Sequence, residues 1–165
     1  MPSVETGAPG PLTASPPVRL QFAQKAFITA GGRLLMVRKA VSDPFQPGRW
    51  EVPGGRLDVG GDLDLDDHIR REVWEEVGLK IEPGPPFHLW QWFMDDRPPG
   101  AAGGKVRVVA AARRCRPLTF DVAFGNQDES DHLDGCAWVP LDEVCSYPLI
   151  PSLRPVVRAF LPLAR

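Results

Sequence analysis

Apolar and polar positions along the chain alternate in short runs, with one longer stretch of helical period. Residues 22–29 read as a strand, and Ala30-Gly31-Gly32-Arg33 after it can supply the positive φ values of a tight hairpin turn. Leu34-Leu35-Met36-Val37 returns as a second strand, apolar enough to be buried on both faces. Residues 42–49 hold Pro44, Pro47 and Gly48 and read as a loop. Residues 50–52 form a short strand that Pro53-Gly54-Gly55 ends. The helical period then predicts a helix over residues 65–77, with Gly78 as the residue that stops it. Asp62, Asp64, Asp66 and Asp67 crowd its start, where capping and the macrodipole favour acids.

Residues 80–82 begin another strand, which Pro83-Gly84-Pro85-Pro86 is expected to break. Residues 88–94 and 105–112 read as two strands joined by a glycine-rich loop over 98–104. Further strands are expected at 118–124 and 136–139, and a turn or short helix at 141–145. A helix over 153–160 tolerates Pro155 in its first turn. Strands, helix, strands, helix is the order of a mixed α/β sandwich. Residues 1–17, rich in Pro with Gly, Ser, Thr and Ala, bury too little apolar surface to order themselves and read as a flexible tail before a domain over 18–165.

The acidic helix has an unusual wheel. With Ile69 at zero and ~100° per residue, Val73 falls at ~40°, Val77 at ~80° and Leu65 at about −40°, which defines the buried stripe. Glu72 falls at ~300°, Glu76 at ~340° and Glu75 at ~240°, so two of the three acids border that stripe. An ordinary surface helix puts its acids on the opposite side. Glu72 and Glu76 are also a like-charged i,i+4 pair, unfavourable without compensation. A cation in a cleft is one compensation; a solvated face paired with Arg70, Arg71 and Lys80 is the other. Trp74, at ~140°, is expected to pack on another element or a partner chain.

Composition narrows the class of function. The chain has 165 residues, 43% hydrophobic and 24% charged, with a net charge of −2. There is no global basic field for a nucleic-acid polymer. No apolar run approaches the ~18 residues of a membrane span, and the N-terminus lacks a signal peptide's apolar core. Cys115, Cys136 and Cys145 form neither an even set nor a C-x-x-C pair, so no disulfide framework or zinc site is indicated. Reduced, mostly buried thiols in a cytoplasmic protein are the expectation. Hard divalent cations such as Mg²⁺ prefer oxygen ligands and arrive with substrate phosphates. The acidic helix therefore points to a metal-dependent enzyme acting on a phosphorylated substrate.

Arg71-Glu72-Val73-Trp74-Glu75-Glu76-Val77-Gly78-Leu79, with Trp50-Glu51-Val52-Pro53-Gly54-Gly55 upstream, resembles the Nudix (MutT-like) hydrolases. Their box is G-x5-E-x7-R-E-U-x-E-E-x-G-U, with U aliphatic; its second half is filled here without mismatch, and Gly55 fits the opening glycine. The early hairpin, the acidic segment 128–134, Trp138-Val139-Pro140-Leu141-Asp142-Glu143 and the last helix also follow the family's order. One position departs from the box. Its first Glu is replaced by Gly61, and nine residues rather than seven then precede Arg71. In the family that Glu supports the box arginine and the catalytic helix; Asp62 or Asp64 could stand in with a shorter reach.

The resemblance implies an α/β/α sandwich with a mixed central sheet. It implies Mg²⁺- or Mn²⁺-dependent cleavage of a nucleoside diphosphate linked to another moiety, with water as nucleophile. Glu72, Glu75 and Glu76 would be the carboxylate ligands, Gly54 would offer its backbone carbonyl, and Arg71 would orient a glutamate. Relatives differ in their general base; Glu129 and Asp131 are the later-loop candidates, with a solvated acidic loop as the alternative. Arg38, Lys39, Arg49 and Trp50 flank the expected cleft and could meet substrate. Trp90 and Trp92 share one strand face and could stack on a base or pack in the core. His132 could act in proton transfer, whereas His68 and His88 show no ligand spacing. The expected partner is a small nucleotide, and dimerisation, common in the family, could use the Trp90–Trp92 strand. A catalytically weak Nudix-fold binding module is the alternative. A related isomerase would need further Cys and Glu positions not identifiable here.

Overall fold

The computed structural model describes residues 19–61, 64–97 and 103–164. The expected tail over 1–17, Asp62 and residues 98–102 of the glycine-rich loop lie outside the described residues. The first strand, β1 (Arg19–Ala30), turns at Gly31 and Gly32, with φ of 55° and 71°, into β2 (Arg33–Lys39). Both glycines take the left-handed conformation that a two-residue hairpin requires. Leu34, Leu35, Met36 and Val37 are all fully buried, as a strand covered on both faces must be.

The remaining strands are β3 (Trp50–Glu51), β4 (Gly54–Arg56), β5 (Ile81–Asp95), β6 (Lys105–Pro117) and β7 (Leu133–Pro140). The sheet runs β3-β2-β1-β6-β5, with β4 paired to β1 and β7 to β2. β1 and β6 are parallel and the other named strand pairs antiparallel, which makes the sheet mixed. Helix α1 (Leu65–Val77) covers one face through Ile69, Val73 and Val77, packed with Ala26, Ile28 and Leu35. Helix α2 (Arg154–Phe160) covers the other through Val156, Val157 and Phe160, packed with Phe27, Leu34 and Met36. The result is an α/β/α sandwich.

The bounds of α1 match those expected. Asp64 caps it by accepting from the Asp67 N–H at 2.8 Å, and Gly78 ends it in the left-handed conformation (φ 70°). Several other expectations are corrected. Pro83-Gly84-Pro85-Pro86 does not break the strand that starts at Ile81. β5 is an edge strand, and irregular register between Pro83 and His88 absorbs the missing donors. Gly54-Gly55 does not simply end β3 but forms β4, pairing with Lys25 and Gln24.

Residues 118–124 are not a strand. They wrap the C-terminal end of α1, where Ala123 N–H donates to Val77 O (2.9 Å) and Leu118 N–H to Lys80 O (2.8 Å). A helix end leaves carbonyls that need donors, and this segment supplies them. Leu65 is 45% exposed, and His68 takes the inward position in the first turn. Trp74 is 46% exposed, so much of its ring is left uncovered by the other elements of this chain. Of the thiols only Cys115 is fully buried; Cys145 is exposed.

Candidate active site

The inner face of α1 carries Glu72 and Glu76 into the protein, only 8% and 3% exposed. They lie under β4. The Glu76 carboxylate accepts from the Gly54 N–H at 3.0 Å. The backbone requires a glycine at position 54, and a side chain at position 55 would displace the Glu72 carboxylate. Gly54 has φ 137°, and a Cβ there would strike the Gln24 carbonyl; a Cβ on Gly55 would strike the Glu72 carboxylate. The Gly-Gly pair therefore lets strand backbone lie directly against two buried acids.

A buried charge network surrounds Glu76. Lys25 Nζ donates to the Glu51 carboxylate (2.9 Å) and to Gly54 O (3.1 Å). Lys39 Nζ lies 3.5 Å from the other Glu51 oxygen and 3.9 Å from Asp43. Burial would raise the Glu51 carboxyl, but Lys25 and Lys39 hold it below its ordinary value. Burial would lower Lys25, but Glu51, Glu76 and Glu72 hold it above its ordinary value. Glu76 receives less help. Burial, with the Glu51 charge added, pushes it up to about 8 despite Lys25 and the Gly54 N–H.

Glu75 sits at the rim, where its carboxylate accepts from Arg71 Nη1 at 2.9 Å. Arg71 also reaches Glu72, at 3.3 Å. Gly61, at the position of the box's first Glu, closes an exposed turn through its N–H to Asp58 O (3.2 Å). Asp64 is engaged as the helix cap, and Asp62 is outside the described residues.

The loop before β7 approaches the same acids. Lys39 Nζ donates to Asp131 O (3.0 Å), and the Ala40 N–H to His132 O (2.7 Å). His132 has φ 49°, a strained backbone for a residue with a Cβ. Asp131 is raised above its ordinary value by burial and by the charge of Glu72, with the Asp128 N–H opposing. Glu129 is exposed on the turn. Arg38 donates to Asp134 (2.8 Å) and lies over the Trp50 ring at 5.8 Å. Trp50 packs edge-on to Tyr147 at 5.1 Å. Arg49 is half-buried where the loop enters β3, and its carbonyl accepts from the Lys39 N–H (2.8 Å). Trp90 and Trp92 pack on Ala23, Val106, Val108 and Ala110, with rings 5.6 Å apart, which is a core role.

Sequence reasoning did not single out Lys25, Glu51, Asp43, Gln24 or His68 for the site. A signal existed for two of them: Gln24-Lys25 interrupts an otherwise apolar strand. Among the described residues no three His, Cys, Asp or Glu side chains stand together as a metal-holding group, and Glu75 is paired with Arg71.

A family model described as NUDIX domain matches residues 20–163. The chain belongs to the Nudix family. Nudix proteins of this kind hydrolyse pyrophosphate bonds, and this chain is such a hydrolase; the family generally uses divalent metals. A MutT-like protein of Streptomyces ambofaciens is 30% identical over 79% of this chain and 70% of its own length. Phosphatase NudJ of Escherichia coli K12 is 25% identical over 71% of this chain and 66% of its own. A MutT protein crystal structure from Methanosarcina mazei Go1 shares the fold, with TM-score 0.65 and 21% identity over 88% of this chain and 96% of that one.

The Nudix donor set suits a hard cation. Its groups are carboxylate and carbonyl oxygens, and burial holds the Glu76 carboxyl above its ordinary value despite Lys25 and Lys39, a cost that a bound cation would offset.

Proposed function

We propose that this Nudix hydrolase cleaves the diphosphate linkage of a nucleoside diphosphate joined to another moiety, such as a nucleoside triphosphate, nucleotide sugar or dinucleotide. The observation that carries the reading is the buried Glu72–Glu76 pair beneath the Gly54-Gly55 backbone. Glu72, Glu75, Glu76 and the Gly54 carbonyl would hold Mg²⁺ or Mn²⁺. The bound ion supplies charge neutralisation at the phosphates and a more acidic water.

The chain's own residues do the rest. Lys25 neutralises part of the charge of Glu51 and Glu76 and donates to Gly54 O, which keeps β4 seated on the acids. Arg71 holds Glu75 at the rim, within reach of substrate. Of the two base candidates, Asp131 is favoured over exposed Glu129. Its burial beside Glu72 keeps its proton affinity above that of an ordinary aspartate, as proton abstraction from water needs. Arg38, stacked on Trp50, and Arg49 would meet substrate at the cleft wall. We assign the activity to residues 18–165, in the cytoplasm, acting on small nucleotides and not on nucleic-acid polymers or at membranes. A homodimer would form through the exposed edge of β5.

The test is a panel of nucleoside triphosphates, nucleotide sugars, ADP-ribose, dinucleotides and coenzyme A with Mg²⁺ or Mn²⁺, read by product identity. Release of a nucleoside monophosphate or of pyrophosphate supports the reading. Binding without product from any member supports a catalytically weak module instead, which the glycine at position 61 would favour.

A further inference from the structure

Glu72 has a neighbour at a position that the Nudix box leaves unspecified. His68 lies one turn before it and is fully buried, with Nε2 3.2 Å from Arg56 O and 3.5 Å from the Glu72 carboxylate. Its other nitrogen, Nδ1, lies 2.8 Å from Gln24 Nε2. Gln24 is itself 1% exposed, and the same amide nitrogen donates to Leu65 O at 2.7 Å. The amide oxygen accepts from Arg113 Nη1 at 3.3 Å. Arg113 is 8% exposed and anchored twice more, to Gly84 O (2.8 Å) and to Asp66 (2.6 Å).

Donor and acceptor roles along this chain are forced. Arg113 has only donors, so it fixes which end of the Gln24 amide is oxygen. The amide nitrogen then has two hydrogens, one for Leu65 O and one for His68 Nδ1. Nδ1 must accept, so the ring proton sits on Nε2; it donates to Arg56 O at 3.2 Å, and the Glu72 carboxylate lies 3.5 Å from the same nitrogen. A carboxylate backed by the positive edge of a fixed neutral imidazole keeps one orientation and presents its remaining lone pairs outward. Outer partners of this type typically matter 10–100-fold for affinity or activity.

We propose that His68 is a positioning residue for Glu72, set in its Nε2–H tautomer by the chain Asp66–Arg113–Gln24, of which Arg113 and Gln24 are buried. It supplies support to the catalytic helix where Gly61 offers no side chain. The role rests on the assignment of Glu72 given above, but its first test does not.

That test is ¹⁵N NMR of the imidazole in the metal-free full chain. The expected spectrum has a bare Nδ1 and a protonated Nε2, with the single-tautomer signature lost in Gln24→Leu. Mn²⁺ binding and kinetics then separate positioning from packing. His68→Leu should weaken Mn²⁺ ~10-fold and lower kcat ~10-fold, with KM within ~2-fold. His68→Gln, which keeps an N–H near the Nε2 position, should recover to within ~3-fold of wild type in both. A protonated Nδ1 in the wild-type protein overturns the proposal. So does a His68→Gln variant as impaired as His68→Leu, or a His68→Leu variant that binds Mn²⁺ like wild type. If no substrate is ever turned over, the tautomer and Mn²⁺ results still decide it. If His68→Leu fails to fold, His68→Gln and the Gln24→Leu spectrum carry the test.

Discussion

The two helices cover opposite faces of one sheet and bury opposite kinds of surface. The inner face of α2 is Val156, Val157 and Phe160, with Phe160 against Phe27 at 4.8 Å between ring centroids. The inner face of α1 alternates Ile69, Val73 and Val77 with His68, Glu72 and Glu76. Apolar burial on the α2 side lowers the free energy of the fold directly. Buried carboxylates on the α1 side raise it unless each is paired, and Glu76 is incompletely paired. The site is therefore held in place by the rest of the molecule, and stability and function are separable by face.

The largest expected effect on stability belongs to the α2 face. Phe160→Ala removes a fully buried ring and should cost about 3–5 kcal/mol, read as a shift in the urea midpoint. Its kcat per folded molecule should stay at the wild-type value; a fall in kcat would break the separation of faces. The α1 face should behave in reverse. Glu76→Gln or Glu75→Gln should lower kcat at least ~100-fold, a loss of ~2.7 kcal/mol of transition-state stabilisation. For Glu76→Gln, the metal-free protein at pH 8 should melt no lower than wild type, because a neutral amide replaces a poorly compensated buried acid. Mutants with wild-type kcat would mean that the site is elsewhere.

A smaller effect sharpens the comparison through pH. Glu76 is raised from 4.5 to about 8, so across that window the folded protein holds a proton that the unfolded chain has lost. Its stabilising contribution is full below 4.5 and disappears as pH rises through 8. Asp131, also raised, has the same sign, its contribution being lost as pH rises above its ordinary value. Glu51, lowered, acts oppositely; its contribution is present above its unfolded value and lost in more acidic solution. Calorimetry in a chelator should show the melting temperature falling from about pH 5 to pH 8. Added Mg²⁺ should flatten that slope; an unchanged slope would count against an ion beside Glu76. The smallest effect is Asp64→Ala, which removes the cap of α1 and should cost ~1 kcal/mol by urea titration.

Much of this was legible in the sequence. The helix over 65–77, its Gly78 stop, the Gly31-Gly32 hairpin and the doubly buried β2 depend on local period and turn chemistry. So did the border position of Glu72 and Glu76, which follows from the wheel. The failures have a common origin. Pro83 to Pro86 could be tolerated only because β5 is an edge, and residues 118–124 left the sheet because a distant helix end needed donors. Gly54-Gly55 reads as a turn until β1 is laid beside it.

The sequence by itself determined which carboxylates line one side of α1 and that their family is Nudix, since both are carried by spacing within a few turns. Only the tertiary structure decided what stands behind those carboxylates. Lys25, Glu51, Gln24, Arg113 and His68 come from separate strands and a helix, and their roles depend on which donor meets which acceptor. That pairing is a property of three-dimensional proximity, because burial removes the water that would otherwise satisfy each group alone.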